Sequence, residues 1–348
     1  MTKMIKMSLV AAVAVAGFTT TASAQSLENA IKNVSVKGYL QYRWDKDLEA
    51  DTSVSNTAGG DANKFRVQAT AKANDTVSLT LRATDHTDNF TVDRQYLTAN
   101  FGSTTVIAGK ISDLSPFTDG LGVHGEVALF SVNKGLTLGA AYYHMDQGAS
   151  DASDAKDVAA VVALGNAGAV NYKLWFVSHK DTNNYTFASV AAKVASANVE
   201  LAYSLKTDET GANLDDQSQL RLVATTKMDN VSVKAAIVQA GKDGANIMLD
   251  GDSDATANFQ SSKLSTSSAT DATGGYLSVG TKVSPEVGLS AEYFTIDGGK
   301  DLTLKATYQV AKNTSTYIRY STGNAVDTAT GADGADFEAV RIQAKYSF

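Results

Sequence analysis

With 348 residues, no cysteine and 37 acidic against 30 basic side chains, the chain carries a formal net charge of −7, so neither a disulfide framework nor a thiolate metal site is available to it. Removing Lys3 and Lys6 with the leader described below takes the balance to −9, a surface unsuited to nucleic acid. No stretch approaches the roughly 20 apolar residues of a membrane helix, whereas 27 glycines, 2 prolines and a mean hydropathy of −0.14 suit a chain in which apolar and polar residues alternate.

The N-terminus carries Lys3 and Lys6, an apolar run from Leu9 to Phe18, and the small-residue site Ala22-Ser23-Ala24 before Gln25. This is the pattern of a secretory signal peptide, so residues 1–24 are expected to be removed and a single domain to occupy 25–348. After a short lead, Val34 to Trp44 alternates Val34, Val36, Leu40, Tyr42 and Trp44 against Ser35, Lys37, Gln41 and Arg43, a hydrophobic period of two. Lys64 to Lys72 repeats the pattern, Ala73-Asn74-Asp75 turns the chain, and Val77 to Thr84 returns. The same reading places strands at Val92 to Phe101, Thr104 to Lys110, Gly125 to Asn133, Leu136 to His144, Val158 to Gly165, Ala169 to His179 and Tyr185 to Val194. It continues through Asn198 to Lys206, Ser218 to Lys227, Val231 to Ala240, Gly274 to Val283, Val287 to Ile296, Asp301 to Val310, Thr314 to Ser321 and Asp336 to Phe348. The last of these ends on an apolar aromatic, as suits the girdle of a membrane barrel.

The alternation predicts an all-β fold, a closed antiparallel transmembrane β-barrel of about 18 strands, with 16 as the alternative count. The connections agree. Those after even-numbered strands are tight, as at Gly102-Ser103, Lys134-Gly135 and Met228-Asp229-Asn230. Those after odd-numbered strands are mostly longer and polar, as at Met145 to Asp157, Thr207 to Gln217 and Thr322 to Ala335. Short periplasmic turns and longer extracellular loops sort in this way. The Ser/Thr/Ala/Asp-rich stretch Asp243 to Thr273 reads by composition as one long mobile surface loop.

A channel needs a wet lumen and a charged constriction, not a catalytic constellation. The polar faces of the strands supply Lys64, Arg66, Lys72, Arg82 and Arg94, with Arg43, Arg221, Lys305, Arg319, Arg341 and Lys345 on other strands, while inward acids are few, chiefly Glu200 and Glu292. Arg66, Arg82 and Arg94 are expected to form one side of an eyelet. The connection after the fifth strand, around residues 111–124, is expected to fold inward and supply Asp113 and Asp119 opposite them, a transverse field across the pore. Asp250, Asp252 and Asp254 alternate like a calcium loop, but Ala255 and Ser261 stand where that motif wants Gly and Glu. The four histidines, His86, His124, His144 and His179, form no HExxH, and no GxSxG marks a hydrolase, so no enzyme is expected.

Ser26-Leu27-Glu28-Asn29-Ala30-Ile31-Lys32-Asn33-Val34 leading to Gly38, Leu40, Tyr42 and Arg43 resembles the mature N-terminus of the Campylobacter major outer membrane protein porins. Arg94-Gln95-Tyr96-Leu97-Thr98, Val106-Ile107-Ala108-Gly109-Lys110, Phe117-Thr118-Asp119-Gly120-Leu121 and the terminal Val340 to Phe348 are similar to later parts of that family. The resemblance implies an 18-stranded homotrimeric porin of the bacterial outer membrane, with no required cofactor but with a calcium ion in the constriction, where Asp119 holds the matching position. The expected function is passive diffusion of ions and small hydrophilic solutes through a barrel seated in outer-membrane lipid. The alternative is a non-conducting surface barrel acting as an adhesin or structural protein through its long loops.

Overall fold

The computed structural model describes residues 33–48, 62–86, 89–111, 115–118, 123–133, 135–144, 157–209, 216–249, 255–326 and 333–348. The leader 1–24, the eyelet candidates Asp113 and Asp119, and Asp250, Asp252 and Asp254 lie outside these residues. Eighteen strands follow in chain order: β1 (Val34–Asp47), β2 (Ala62–Lys72), β3 (Val77–His86), β4 (Asn89–Phe101), β5 (Thr104–Ile111), β6 (Val123–Asn133), β7 (Leu136–His144), β8 (Asp157–Ala167) and β9 (Val170–His179). The second half comprises β10 (Asn183–Val194), β11 (Ala197–Asp208), β12 (Gln217–Met228), β13 (Val231–Ala240), β14 (Thr273–Lys282), β15 (Val287–Ile296), β16 (Gly299–Ala311), β17 (Thr314–Val326) and β18 (Asp333–Ser347). Each strand pairs antiparallel with its neighbours in sequence, and β1 pairs with both β2 and β18, so the sheet closes with no free edge.

Side chains alternate across this wall as the pleat requires. Leu40, Val161, Leu201, Leu222, Leu277, Leu304 and Ile318 are exposed on the outside, while Gln41, Thr80, Ser204, Gln219, Asp301 and Thr303 are buried on the inside. An outward apolar belt with a polar interior is stable only where lipid covers the belt. The closing seam is tightened by the C-terminus. The amide of Gly38 donates to the Phe348 carbonyl and that of Phe348 to the Gly38 carbonyl, both at 3.0 Å. The Phe348 ring stacks on Phe65 with centroids 6.4 Å apart. A Cβ at Gly38 would lie 2.7 Å from the Phe348 ring, so this position takes no side chain while the ring stays where it is. The tight turns are also built locally: Asn74 Oδ1 accepts from the amides of Thr76 at 2.8 Å and Val77 at 2.7 Å, and Gly102 and Asp229 take positive φ.

The 241–272 connection departs from the exposed loop that its composition suggests. Ala245, Ile247, Ala257 and Thr266 are fully buried, and Phe259 and Leu264 nearly so. Its apolar residues find cover on the inner wall. Ile247 and Ala257 join Phe117, Val127, Tyr143, Val158, Val177, Tyr185 and Phe187 in one cluster, and Phe259 and Leu264 join Val238, Tyr276, Phe294 and Ile296 in a second. Burying each such side chain contributes about 1.5–3 kcal/mol, which outweighs what a solvated Ser/Thr loop would keep in freedom. The barrel therefore has an interior core over part of its circumference.

Candidate functional site

The inner wall of the barrel carries a charged strip and a folded loop. The strip runs over six consecutive strands of the closed sheet, β17, β18, β1, β2, β3 and β4. Arg319 and Arg341 face each other directly across β17 and β18, and Arg82 and Arg94 across β3 and β4. Like charges at such positions repel, and a carboxylate sits at each pair. Asp45 of β1 lies opposite Arg341, accepting from Nη2 at 2.8 Å and also from Nε. Asp93 accepts from Arg82 Nε at 2.9 Å through both oxygens and lies 2.7 Å from Arg82 Nη2. It also takes the Thr84 hydroxyl at 3.0 Å and stands 3.9 Å from Arg66 Nη2.

Asp93 reaches this position through an irregularity. The ladder shifts between Arg82 and Ala83, so that Arg82 pairs with Arg94 while Ala83 pairs with Val92. The extra residue is Asp93, and the bulge turns it to the same face as its neighbour Arg94. Strict alternation would have sent it to lipid. On β2, Arg66 Nε donates to Thr84 Oγ1 at 3.1 Å, and its guanidinium lies 5.6 Å from the Tyr39 ring centre; Lys345 Nζ approaches the same ring at 4.2 Å. Arg66 keeps 28% of its side chain accessible and Arg341 keeps 22%, so the strip faces open space.

The sequence-predicted Arg66, Arg82 and Arg94 thus share one inner face on adjacent strands. Asp113 and Asp119 fall outside the described residues, and only 115–118 of that connection are described between them. Of these four, Phe117 points inward: it is fully buried and its ring centre lies 5.3 Å from that of Tyr185. Inward acids are more numerous than Glu200 and Glu292, since Asp45, Asp93 and Asp301 also face the lumen.

Opposite the charged strip, the 241–272 loop is bonded at both flanks. The Leu249 amide donates to the Phe117 carbonyl at 2.8 Å and the Ala257 amide to the Pro116 carbonyl at 2.7 Å, which ties the two inward connections into one body. The Ala257 carbonyl accepts from Ser204 Oγ at 3.0 Å and Gln219 Nε2 at 2.8 Å; Arg221 Nη1 donates to the carbonyls of Thr256 at 2.5 Å and Asn258 at 3.2 Å. Thr266 Oγ1 bonds Gln219 and accepts the Phe259 amide at 3.0 Å. The Phe259 ring stands 5.3 Å from Tyr276 and 5.5 Å from Phe294, with Lys234 Nζ 5.1 Å above it. Backbone groups of an irregular loop inside a barrel need such partners.

The loop tip reaches the charged strip. Asp301 of β16 accepts from Ser261 Oγ at 2.7 Å and the Lys263 amide at 2.8 Å, and is itself held by Thr303 Oγ1 at 2.9 Å. Ser262 and Ser321 hydroxyls lie 3.2 Å apart. Lys263 is thereby brought among Arg319, Arg341, Asp45 and Asp47, and loss of hydration followed by the charges of Arg319 and Arg341 lowers its pKa. Sequence reasoning missed Asp93, Lys263 and the loop. Among the described residues no group of three His, Asp or Glu is placed to hold a metal ion.

A closed eighteen-stranded cylinder with a lipid-facing apolar belt and a charged, loop-narrowed lumen is the architecture of an outer-membrane porin, and the bacterial outer membrane is where it sits. Residues 2–84 match the family model of the Campylobacter major outer membrane protein, which bears out the resemblance over that segment. No curated protein is significantly similar in sequence. Among solved structures, the chain is similar to Pseudomonas aeruginosa OccK3 (OpdO), at 15% identity over 92% of this chain and 97% of that one with a TM-score of 0.69. It is also similar to a BenF-like porin from Pseudomonas fluorescens Pf-5, at 15% identity over 91% and 99% with a TM-score of 0.70. Acinetobacter baumannii OccAB4 matches at 11% identity over 91% and 98%, TM-score 0.70. At these identities the likeness is one of fold.

Proposed function

We propose that the chain is a general diffusion channel in which water, ions and small hydrophilic solutes cross through the part of the lumen bordered by β17, β18 and β1–β4, with a preference for anions, and that it performs no covalent chemistry. The observation that carries this reading is the cationic strip over six adjacent strands, in which Asp45, Asp47 and Asp93 offset only part of the charge of Arg43, Lys64, Arg66, Arg82, Arg94, Arg319, Arg341 and Lys345. Such a wall attracts anions and lets them pass from one weak site to the next. Lys263 at the loop tip adds a further cation beside Arg319 and Arg341. One structural neighbour, Pseudomonas aeruginosa OpdK, was solved with vanillate, a carboxylate of the size and charge that this strip would receive.

The resemblance adds a homotrimer, export through the leader 1–24 and calcium near Asp119 to this proposal. Chemical cross-linking of the purified protein, N-terminal sequencing, and calcium titration of conductance test these in turn. The channel itself is tested in planar bilayers, where the purified barrel should give discrete, near-ohmic current steps. A barrel that inserts and stays silent would favour the adhesin alternative.

A further inference from the structure

The inner face changes character toward the rim that carries the tight turns. Lys193 is the penultimate residue of β10, Lys227 the penultimate of β12, and Lys282 the last of β14. Each shares its face with residues already placed inward: Lys193 with Phe187 and Ser189, Lys227 with Gln219 and Arg221, and Lys282 with Tyr276, at even spacing along ladders without a register shift. All three are exposed. The Lys282 amide donates to the Asn230 carbonyl at 3.2 Å, which ties the end of β14 to the β12–β13 turn and holds Lys227 and Lys282 in one neighbourhood. Between the lysines the inner face is small and neutral: Asn198 of β11 lies opposite Lys193 and Thr225, and Ser232 of β13 lies opposite Lys227 and Gly280. Alternate strands stand about 10 Å apart, a gap that two lysine side chains span from either side.

The carboxylates near this arc are engaged elsewhere. The inward acids of these strands, Glu200 and Glu292, lie further from the rim, Glu200 beside Arg221 and Lys234 and Glu292 accepting from the Tyr276 hydroxyl. Of the turn carboxylates, Glu286 takes the Ser284 hydroxyl at 3.0 Å, and Asp229 holds the positive-φ position of its turn. The other end of the lumen differs, since Asp45 and Asp47 stand among its cations. A monovalent anion meets one hydrated ammonium of the arc at a time and is held weakly. A compact anion of several charges engages two or three at once, the later contacts forming at high effective concentration. The tight-turn rim is the periplasmic one. We propose that Lys193, Lys227 and Lys282 form a binding site for compact multivalent anions, of the pyrophosphate or polycarboxylate class, at the periplasmic mouth, and that an anion held there obstructs monovalent current from that side. An anion arriving from the other chamber meets the arginine strip first. The site is separate from that strip, and only its current readout rests on the channel reading.

Inorganic pyrophosphate is the probe, compared with chloride at matched ionic strength. In planar bilayers it should lower the single-channel current of the wild type when added to one chamber and not when added to the other. The Lys193→Gln, Lys227→Gln, Lys282→Gln triple variant should raise the concentration for half-block on the order of tenfold, whereas the Arg66→Gln, Arg94→Gln double variant should shift the reversal potential and keep the one-sided block. A conducting wild type that pyrophosphate leaves unblocked, a block of equal strength from both chambers, or a block unchanged in the triple variant would overturn the proposal. Phosphorus-31 line broadening of pyrophosphate by the full chain in detergent measures binding without current: the wild type should broaden the line and the triple variant should not, and equal broadening by the two would also overturn it. A silent wild type that still broadens the line through these lysines would keep the site and refute the pore.

Discussion

The strands from β8 to β16 and those from β17 round to β4 share one hydrogen-bonded ladder and one lipid-facing belt, yet only the first set carries apolar clusters on its inner face beside its polar side chains. The first set presents Val158, Val177, Tyr185, Phe187, Val238 and Phe294 to the interior, where the 241–272 loop and residues 116–117 cover them. The second presents arginines and lysines, of which Arg66 and Arg341 keep about a quarter of their side chains accessible. Backbone pairing closes the cylinder whatever faces inward, and the inward residues decide where the cylinder is filled and where it is wet. On the proposed reading, pore width and ion preference are therefore set by different strands.

Removing the filled side should have the largest effect. Replacing 245–270 by a short Gly-Ser link uncovers the apolar inner wall and widens the lumen, and single-channel conductance should rise on the order of twofold or more. Conductance equal to the wild type would show that the loop does not narrow the path. On the charged side, Asp93→Asn leaves Arg82, 7% exposed, without its main carboxylate. Allowing for a wet lumen, the loss should cost about 1–3 kcal/mol, read as a lower thermal midpoint in detergent together with a stronger anion preference. A variant as stable and as selective as the wild type would remove Asp93 from the constriction.

The smallest effect belongs to the junction of the two halves. Lys263 has its pKa lowered by lost hydration and by Arg319 and Arg341, so on raising the pH it gives up its proton sooner than an ordinary lysine. Its contribution to anion preference is full below that lowered value and lost above it. Anion preference should therefore decline on the alkaline side in the wild type, and Lys263→Gln should flatten that decline. Identical alkaline profiles for the two proteins would place Lys263 away from the ion path.

The cylinder itself was legible residue by residue. All eighteen strands lie where period-two alternation puts them, several running further at the loop end, as β1 does to Asp47 and β17 to Val326. Arg66, Arg82 and Arg94 are inward because alternation needs only the pleat. Asp93 was not legible, because a bulge adds one residue and reverses parity at that point, and nothing local in Thr91-Val92-Asp93-Arg94 announces it. The 241–272 loop was missed because Ser, Thr, Asp and Ala read as solvated. Their hydroxyls and carbonyls are instead satisfied by Gln219, Arg221, Ser204 and Asp301 on the wall. A signal for it was present in β8, where Val158, Ala160 and Val162 are apolar on the face that a wet lumen would make polar, and in Ile247, Phe259 and Leu264 within the loop. A strand apolar on both faces is a strand covered on both faces.

The central claim is that ions cross along the arginine strip, and a reversal potential under a salt gradient measures it. The Arg66→Gln, Arg94→Gln double variant keeps the Arg82 to Asp93 pair intact while removing two cations from the wall. Its reversal potential should move toward that of a cation-preferring pore relative to the wild type, with the current steps retained. An unchanged reversal potential in a conducting variant would contradict the account, since it would mean that the current passes elsewhere.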